Sequence, residues 1–105
     1  MDKESTPLRE KEILEQVIEI LKRRLRPKQV ILFGSRAKER SGPGADFDVA
    51  VDSPRPGITA EREVREEIEG IAGLYRVDVV YLETVDKDFR EIILKTGKVI
   101  YERRS

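Results

Sequence analysis

No cysteine and no histidine occur anywhere in this chain. The first absence excludes a disulfide framework and any thiolate metal site. The second excludes an imidazole base and histidine-ligated zinc. Any metal here must be held by oxygen, which points to Mg²⁺, Mn²⁺ or Ca²⁺. No apolar stretch approaches the ~18 residues of a membrane span, and the N-terminus lacks an apolar signal core. The expectation is a soluble, cytoplasmic protein without a membrane partner. Net charge is lacking too. Lys+Arg and Asp+Glu balance at 21 each, so net charge says nothing about a nucleic-acid or membrane partner; no direct contact with nucleic acid is expected.

What is present is a dense mixture of charge (40%) with modest apolar content (38%) over 105 residues. That length suits one domain, residues 1–105, with a single core and an ion-paired surface. Ser5 or Thr6 can cap a helix with Pro7 in its first position, and Leu14, Val17, Ile18, Leu21 and Leu25 repeat at helical spacing up to Pro27. Residues 29–33 (QVILF) form an apolar strand covered on both faces. Ser35 to about Arg40 is a short helix or turn, and residues 41–45 (SGPGA) are a connector. Residues 46–52 (DFDVAVD) alternate as a strand with Phe47, Val49 and Val51 inward. After the SPRPG loop, Thr59 caps a helix with the stripe Val64, Ile68, Ile71, ending near Gly73. Residues 75–82 (YRVDVVYL) read as a third strand. Thr84 to Thr96 reads as a helix with Phe89, Ile92 and Ile93 inward and Gly97 as its stop. Residues 98–102 (KVIYE) make a last, edge strand. The economical architecture is α/β (α+β): one small mixed sheet with helices packed mainly on one face, leaving the other for acidic residues.

The segment after the first strand carries the chemistry. Phe33 runs into Gly34-Ser35, and ten residues later come Asp46 and Asp48. Alternation puts both carboxylates on one strand face, roughly 6–7 Å apart along the chain. Such a pair repels itself unless a cation sits between. Asp78, set among valines in YRVDVVYL, is a third buried-type carboxylate that needs a partner. If its strand lies beside 46–52, three carboxylates converge and can bind one or two Mg²⁺ ions, which in turn hold the phosphates of a nucleoside triphosphate. Gly34 lets backbone approach a phosphate, and Ser35 offers a hydroxyl at a helix N-terminus. Arg36 and Lys38 add positive charge.

Phe33-Gly34-Ser35, a spacer of ten, Asp46-Phe47-Asp48 and the later strand Asp78 together resemble the nucleotidyltransferase superfamily related to DNA polymerase β. The wording Gly34-Ser35-Arg36-Ala37 and the short chain resemble its minimal nucleotidyltransferases (MNT) in particular. The resemblance implies the polymerase β-like nucleotidyltransferase fold and an Mg²⁺-dependent transferase using ATP or another nucleoside triphosphate (Mn²⁺ as a substitute). It also implies an antitoxin role: AMP passes from ATP to a tyrosine of a HEPN-domain ribonuclease toxin and silences it by AMPylation. Carried over by position, Asp46 and Asp48 are metal ligands. Asp78 is a metal ligand or the base for the acceptor hydroxyl, and Gly34, Ser35 and Arg36 hold the triphosphate. Many relatives continue Gly-Ser-Arg-Ala-Arg-Gly, whereas this chain has Lys38 and Glu39. Lys38 keeps the charge but not the forked guanidinium, and Glu39 adds a negative charge.

Plainer roles remain open for each residue. Asp46 could be a turn residue, Asp48 an exposed strand residue, and Asp78 simply the partner of Arg76 on its own strand face. Asp52 favours loop capping over metal binding. The run Lys22, Arg23, Arg24, Arg26, Lys28 favours a helix C-terminus complementing the dipole over an RNA or acidic-partner surface. Tyr75, Tyr81 and Tyr101 favour packing over acceptor roles. Functionally, the alternative to catalysis is an antitoxin that neutralises its partner by binding alone. A homo- or hetero-oligomer is compatible with either.

Overall fold

The computed structural model describes the backbone of residues 2–34 and 46–104, and the side chains of residues 10–34 and 46–104. In chain order it contains α1 (Asp2–Leu25), β1 (Gln29–Phe33), β2 (Phe47–Val51), α2 (Ile58–Ala72), β3 (Val77–Tyr81), α3 (Lys87–Thr96) and β4 (Lys98–Glu102). The helix or turn expected at Ser35–Arg40 and the connector at 41–45 lie outside the described residues.

The strands form one mixed sheet in the order β3-β2-β1-β4. β1 pairs antiparallel with β2 and β4, while β2 and β3 run parallel. A parallel pair needs a crossover, and α2 supplies it. Because β1 is central, Val30, Ile31 and Leu32 are all buried, on alternating faces. One face carries the larger core. Ile13, Val17, Ile20 and Leu21 of α1 and Val64, Ile68 and Ala72 of α2 pack there with Val30, Leu32, Phe47, Val49 and Val51. On the other face, Ile93 of α3 packs with Ile31, Ala50 and Leu82. Two of the three helices therefore share a face, and α3 occupies part of the opposite one beside the acidic residues.

Several element details differ from expectation for local reasons. Helix α1 begins at Asp2, so Pro7 lies inside it and neither Ser5 nor Thr6 is its cap. The buried arc of α1 is centred on Ile13, Val17, Ile20 and Leu21, while Leu14 and Leu25 are only partly covered, because α1 joins α2 and the sheet in one core. Helix α2 starts one residue before Thr59 with Gly57 at the N-cap and no side-chain cap. Helix α3 starts at Lys87, where the Asp86 carboxylate accepts from the Phe89 N–H at 3.3 Å. Thr84 instead donates its hydroxyl to the Tyr81 carbonyl at 3.1 Å and closes the turn after β3. Ile92 is 57% exposed rather than inward, since the 89–93–97 row is the one that meets the sheet. In β4 the register slips between Val30 and Ile31. The extra residue, Ile100, packs with Tyr101 against the larger core.

The basic run at the end of α1 is engaged with its neighbours. Arg23 pairs with Glu67 at 2.6 Å, and Arg24 bridges Glu67 at 3.0 Å and Glu63 at 3.1 Å, tying α1 to α2. Lys22 lies over the Tyr101 ring, 5.1 Å from its centroid.

Candidate active site

β1 ends at Phe33 and the chain leaves it through Gly34 with φ of +78°, a region that a Cβ disfavours. A Cβ built on Gly34 would stand 2.5 Å from Asp48 Oδ2. Glycine is therefore required twice, by the turn and by the close approach of the chain to the Asp48 carboxylate. Phe33 is the Cα partner of Asp48 across the β1–β2 ladder, and Asp48 is the Cα partner of Asp78 across the β2–β3 ladder. The turn and the two carboxylates thus line up across three adjacent strands at one end of the sheet. Asp46 immediately precedes β2 and is exposed.

The electrostatics register this convergence. Burial pushes the Asp48 carboxyl above its ordinary range, and the negative charges of Asp78 and Asp46 push it further. Asp78 is half-exposed and has Arg76 Nε 3.6 Å from its Oδ1, so the plainer partner foreseen for it is present. Among the described residues, no three acidic side chains are already drawn together tightly enough to enclose an ion. The donor chemistry nevertheless fits a hard divalent cation: every candidate ligand is a carboxylate oxygen, and the mutual repulsion at Asp48 is what a cation would relieve. Ser35 and Arg36, expected to hold triphosphate, lie outside the described residues, as do Lys38 and Glu39.

Asp48 and Asp78 open onto a cleft of about 530 Å³ that follows β3. Phe33 and Phe89 line it on the acidic side, their rings edge to face with centroids 5.8 Å apart. Glu61, Val64, Arg65 and Ile68 of α2 line it on the other side. Sequence pattern marks Phe89 only as an inward residue. No local pattern in the sequence marks Glu61 and Arg65 of α2 as a wall, since a Glu and an Arg four residues apart are ordinary on a solvated helix face. Asp52 lies at the far end of β2, outside this cleft, where its backbone bonds Lys28 and Gln29. The tyrosines have packing roles. Tyr81 is buried, Tyr75 packs at a tilt against Phe47 with ring centroids 5.8 Å apart while its hydroxyl donates to Glu10 at 3.2 Å, and Tyr101 lies under Lys22.

Comparison with known proteins agrees with this arrangement. Residues 15–105 match the family model described as polymerase beta, nucleotidyltransferase. The Haemophilus influenzae protein named "Probable protein adenylyltransferase MntA" is 38% identical over 72 residues, which is 68% of this chain. That match spans 63% of the Haemophilus protein's length. Among solved structures, a toxin-antitoxin with AMP-PNP superposes with a TM-score of 0.72 at 21% identity, covering 86% of this chain and 73% of that one. A chain from the tri-AMPylated Shewanella oneidensis HEPN toxin in complex with MNT antitoxin gives 0.67 at 20% identity, covering 89% and 72%. At these identities the superpositions establish the fold. With a family model covering most of its length and the motif strands in register, the chain belongs to the polymerase beta nucleotidyltransferase family.

Proposed function

We propose that this chain is a protein adenylyltransferase that moves AMP from ATP to a hydroxyl of a HEPN-domain toxin and thereby acts as its antitoxin. What carries the reading is the register that sets Asp48 opposite Asp78 with Gly34 closed onto Asp48. Similarity to the MntA protein and to complexes of HEPN toxin with MNT antitoxin supports the choice of acceptor. Asp46, Asp48 and Asp78 would hold Mg²⁺, which when bound neutralises charge on the triphosphate. Gly34 lets the chain turn closely past the Asp48 carboxylate, with Ser35 and Arg36 as the proposed triphosphate contacts. In the transfer, the acceptor oxygen forms a bond to the α-phosphorus and the bond to the bridging oxygen of the β-phosphate breaks. Pyrophosphate leaves with that oxygen, and the hydroxyl proton goes to Asp78 or to solvent. The cleft between Phe33/Phe89 and α2 gives nucleotide and acceptor a common space.

The test is transfer of label from α-labelled ATP to a co-purified HEPN protein with Mg²⁺ present. Wild type is expected to label it and Asp48→Asn is not; equal behaviour of the two overturns catalysis. One observation favours a second reading, neutralisation by binding alone: Arg76 already pairs with Asp78. That reading predicts full neutralisation by an Asp46→Asn/Asp48→Asn double variant, where the catalytic reading predicts failure.

A further inference from the structure

We infer that the free edge of β3 is a docking strip for an extended polypeptide segment, which pairs with it as a fifth strand and carries the acceptor hydroxyl to Asp78. The sheet ends at β3. Phe47 donates its N–H to the Arg76 carbonyl at 2.8 Å, and Leu82 donates to the Val51 carbonyl at 3.0 Å. In a parallel ladder these bonds recur at every second residue, so Asp78 and Val80 direct their backbone groups to β2. Val77 and Val79 direct theirs outward, and no partner meets them among the described residues.

The two edges of the sheet are not alike. β4 carries Lys98 and Glu102 at its ends, both exposed, charges of the kind that discourage pairing. β3 reads Val-Asp-Val-Val-Tyr, an apolar pairing sequence interrupted only by the candidate catalytic acid. The cleft touches both faces of β3, with Asp78 and Val80 on one side and Val77, Val79, Val64 and Ile68 on the other, so it spans the edge.

This geometry selects the occupant. A repeating outward row of N–H and C=O groups is matched by another strand backbone. Alternation then places the residue opposite Asp78 on the Asp48 face, with its Cβ about 5 Å from that of Asp78. Its two neighbours point to the α2 side, where Val64 and Ile68 are already covered and Glu61 and Arg65 are the lining residues that a side chain would meet. The segment therefore presents a hydroxyl residue opposite Asp78, flanked by side chains that meet Glu61 and Arg65. A second copy of this chain seated there would close the cleft against any acceptor. The identity of the hydroxyl as acceptor rests on the adenylyl-transfer reading; the strand pairing does not.

Amide hydrogen exchange on the chain with and without a HEPN-domain protein from the same genome tests the pairing directly. Val77 and Val79 amides are expected to exchange freely alone and to slow at least about tenfold in the complex, while Asp78 and Val80 are slow in both. Val79→Pro removes one outward N–H and leaves the β2 ladder intact. It is expected to cut HEPN labelling from α-labelled ATP at least about tenfold, with AMP-PNP binding as the control for an intact nucleotide side. A complex in which Val77 and Val79 exchange as in the free chain overturns the docking strip. So does a folded Val79→Pro variant that labels like wild type, or a free homodimer by light scattering with these amides already protected. Protection without any labelling by wild type leaves the strip standing and overturns the transferase reading instead.

Discussion

Asp48 of β2 and Asp78 of β3 are Cα partners across the parallel ladder, so two carboxylates from separate strands face the same cleft with Asp46 one residue before β2. The arrangement costs folding energy at neutral pH, since burial and the neighbouring acids both disfavour the ionised form of Asp48.

Asp48→Asn should therefore separate stability from function. The Asp48 carboxyl is held above its ordinary range by burial and by Asp78 and Asp46, so its ionised form is penalised in the folded state at neutral pH. Sign follows directly: the folded state binds this proton more readily than the unfolded chain, and the penalty fades as pH falls through the folded value. In metal-free buffer at pH 7 the variant should melt higher than wild type, with the difference shrinking in acid. Adding Mg²⁺ should raise the melting temperature of wild type more than that of the variant. Adenylyl transfer should fall at least about 100-fold, because a lost ligand forfeits several kcal/mol of charge stabilisation.

Gly34→Ala should damage the site more than the fold. The φ of +78° alone costs a non-glycine residue about 1–2 kcal/mol. The added Cβ also meets the Asp48 carboxylate, the movable end of a side chain, at 2.5 Å, so Asp48 must rotate away from its position opposite Asp78. Denaturant titration should show a loss of about 1–2 kcal/mol, and transfer should drop by a larger factor than that loss explains.

How much of this could be read from residues alone depends on range. QVILF is β1 as read, and the stretches 46–52 and 75–82 keep five-residue centres, Phe47–Val51 and Val77–Tyr81, with Asp46 and Asp52 just outside β2; these and the anomaly of Asp78 among valines are local patterns. That β3 lies beside β2, in the register that sets Asp78 opposite Asp48, is a pairing that no local pattern encodes. Helix starts fail for a different reason. Thr59 and Thr84 are both plausible caps, but backbone geometry gives the position to Gly57 in one case and to Asp86 in the other. In α1 the apolar residues Ile13, Leu14, Val17, Ile18, Ile20 and Leu21 span too wide an arc to choose a face. Contact with α2 makes the choice.

Glu67→Gln should loosen the α1–α2 clamp in a pH-dependent way. Hydrogen bonds from Arg23 and Arg24 hold the Glu67 carboxyl below its ordinary range. A depressed folded value means stability that is present above the ordinary carboxylate range and lost as pH falls through the folded value. The variant should thus melt below wild type at pH 7, and the two curves should converge in acid. Because the groups face solvent, high salt should shrink the difference as well. A gap that persists unchanged into acid would mean that the loss is one of packing.

Arg76→Gln should tighten divalent-cation binding. Arg76 Nε stands 3.6 Å from Asp78 Oδ1, with side-chain exposures of 74% and 46%, and an exposed pair of this kind is worth about 0.2–1 kcal/mol. A cation that uses Asp78 must displace that pair. Removing it should lower the Mn²⁺ dissociation constant by up to about five-fold in calorimetric titration. Loss of any nearby positive charge would also favour a cation, so Arg65→Gln is the control: Arg65 lines the same cleft from α2 and belongs to a different element from the acids. A gain with Arg76→Gln that exceeds the Arg65→Gln effect, and disappears in an Arg76→Gln/Asp78→Asn double variant, identifies Asp78 as a ligand. Equal effects from the two arginines would instead leave Asp78 as the ion-pair partner of Arg76 and shift cation binding to Asp46 and Asp48.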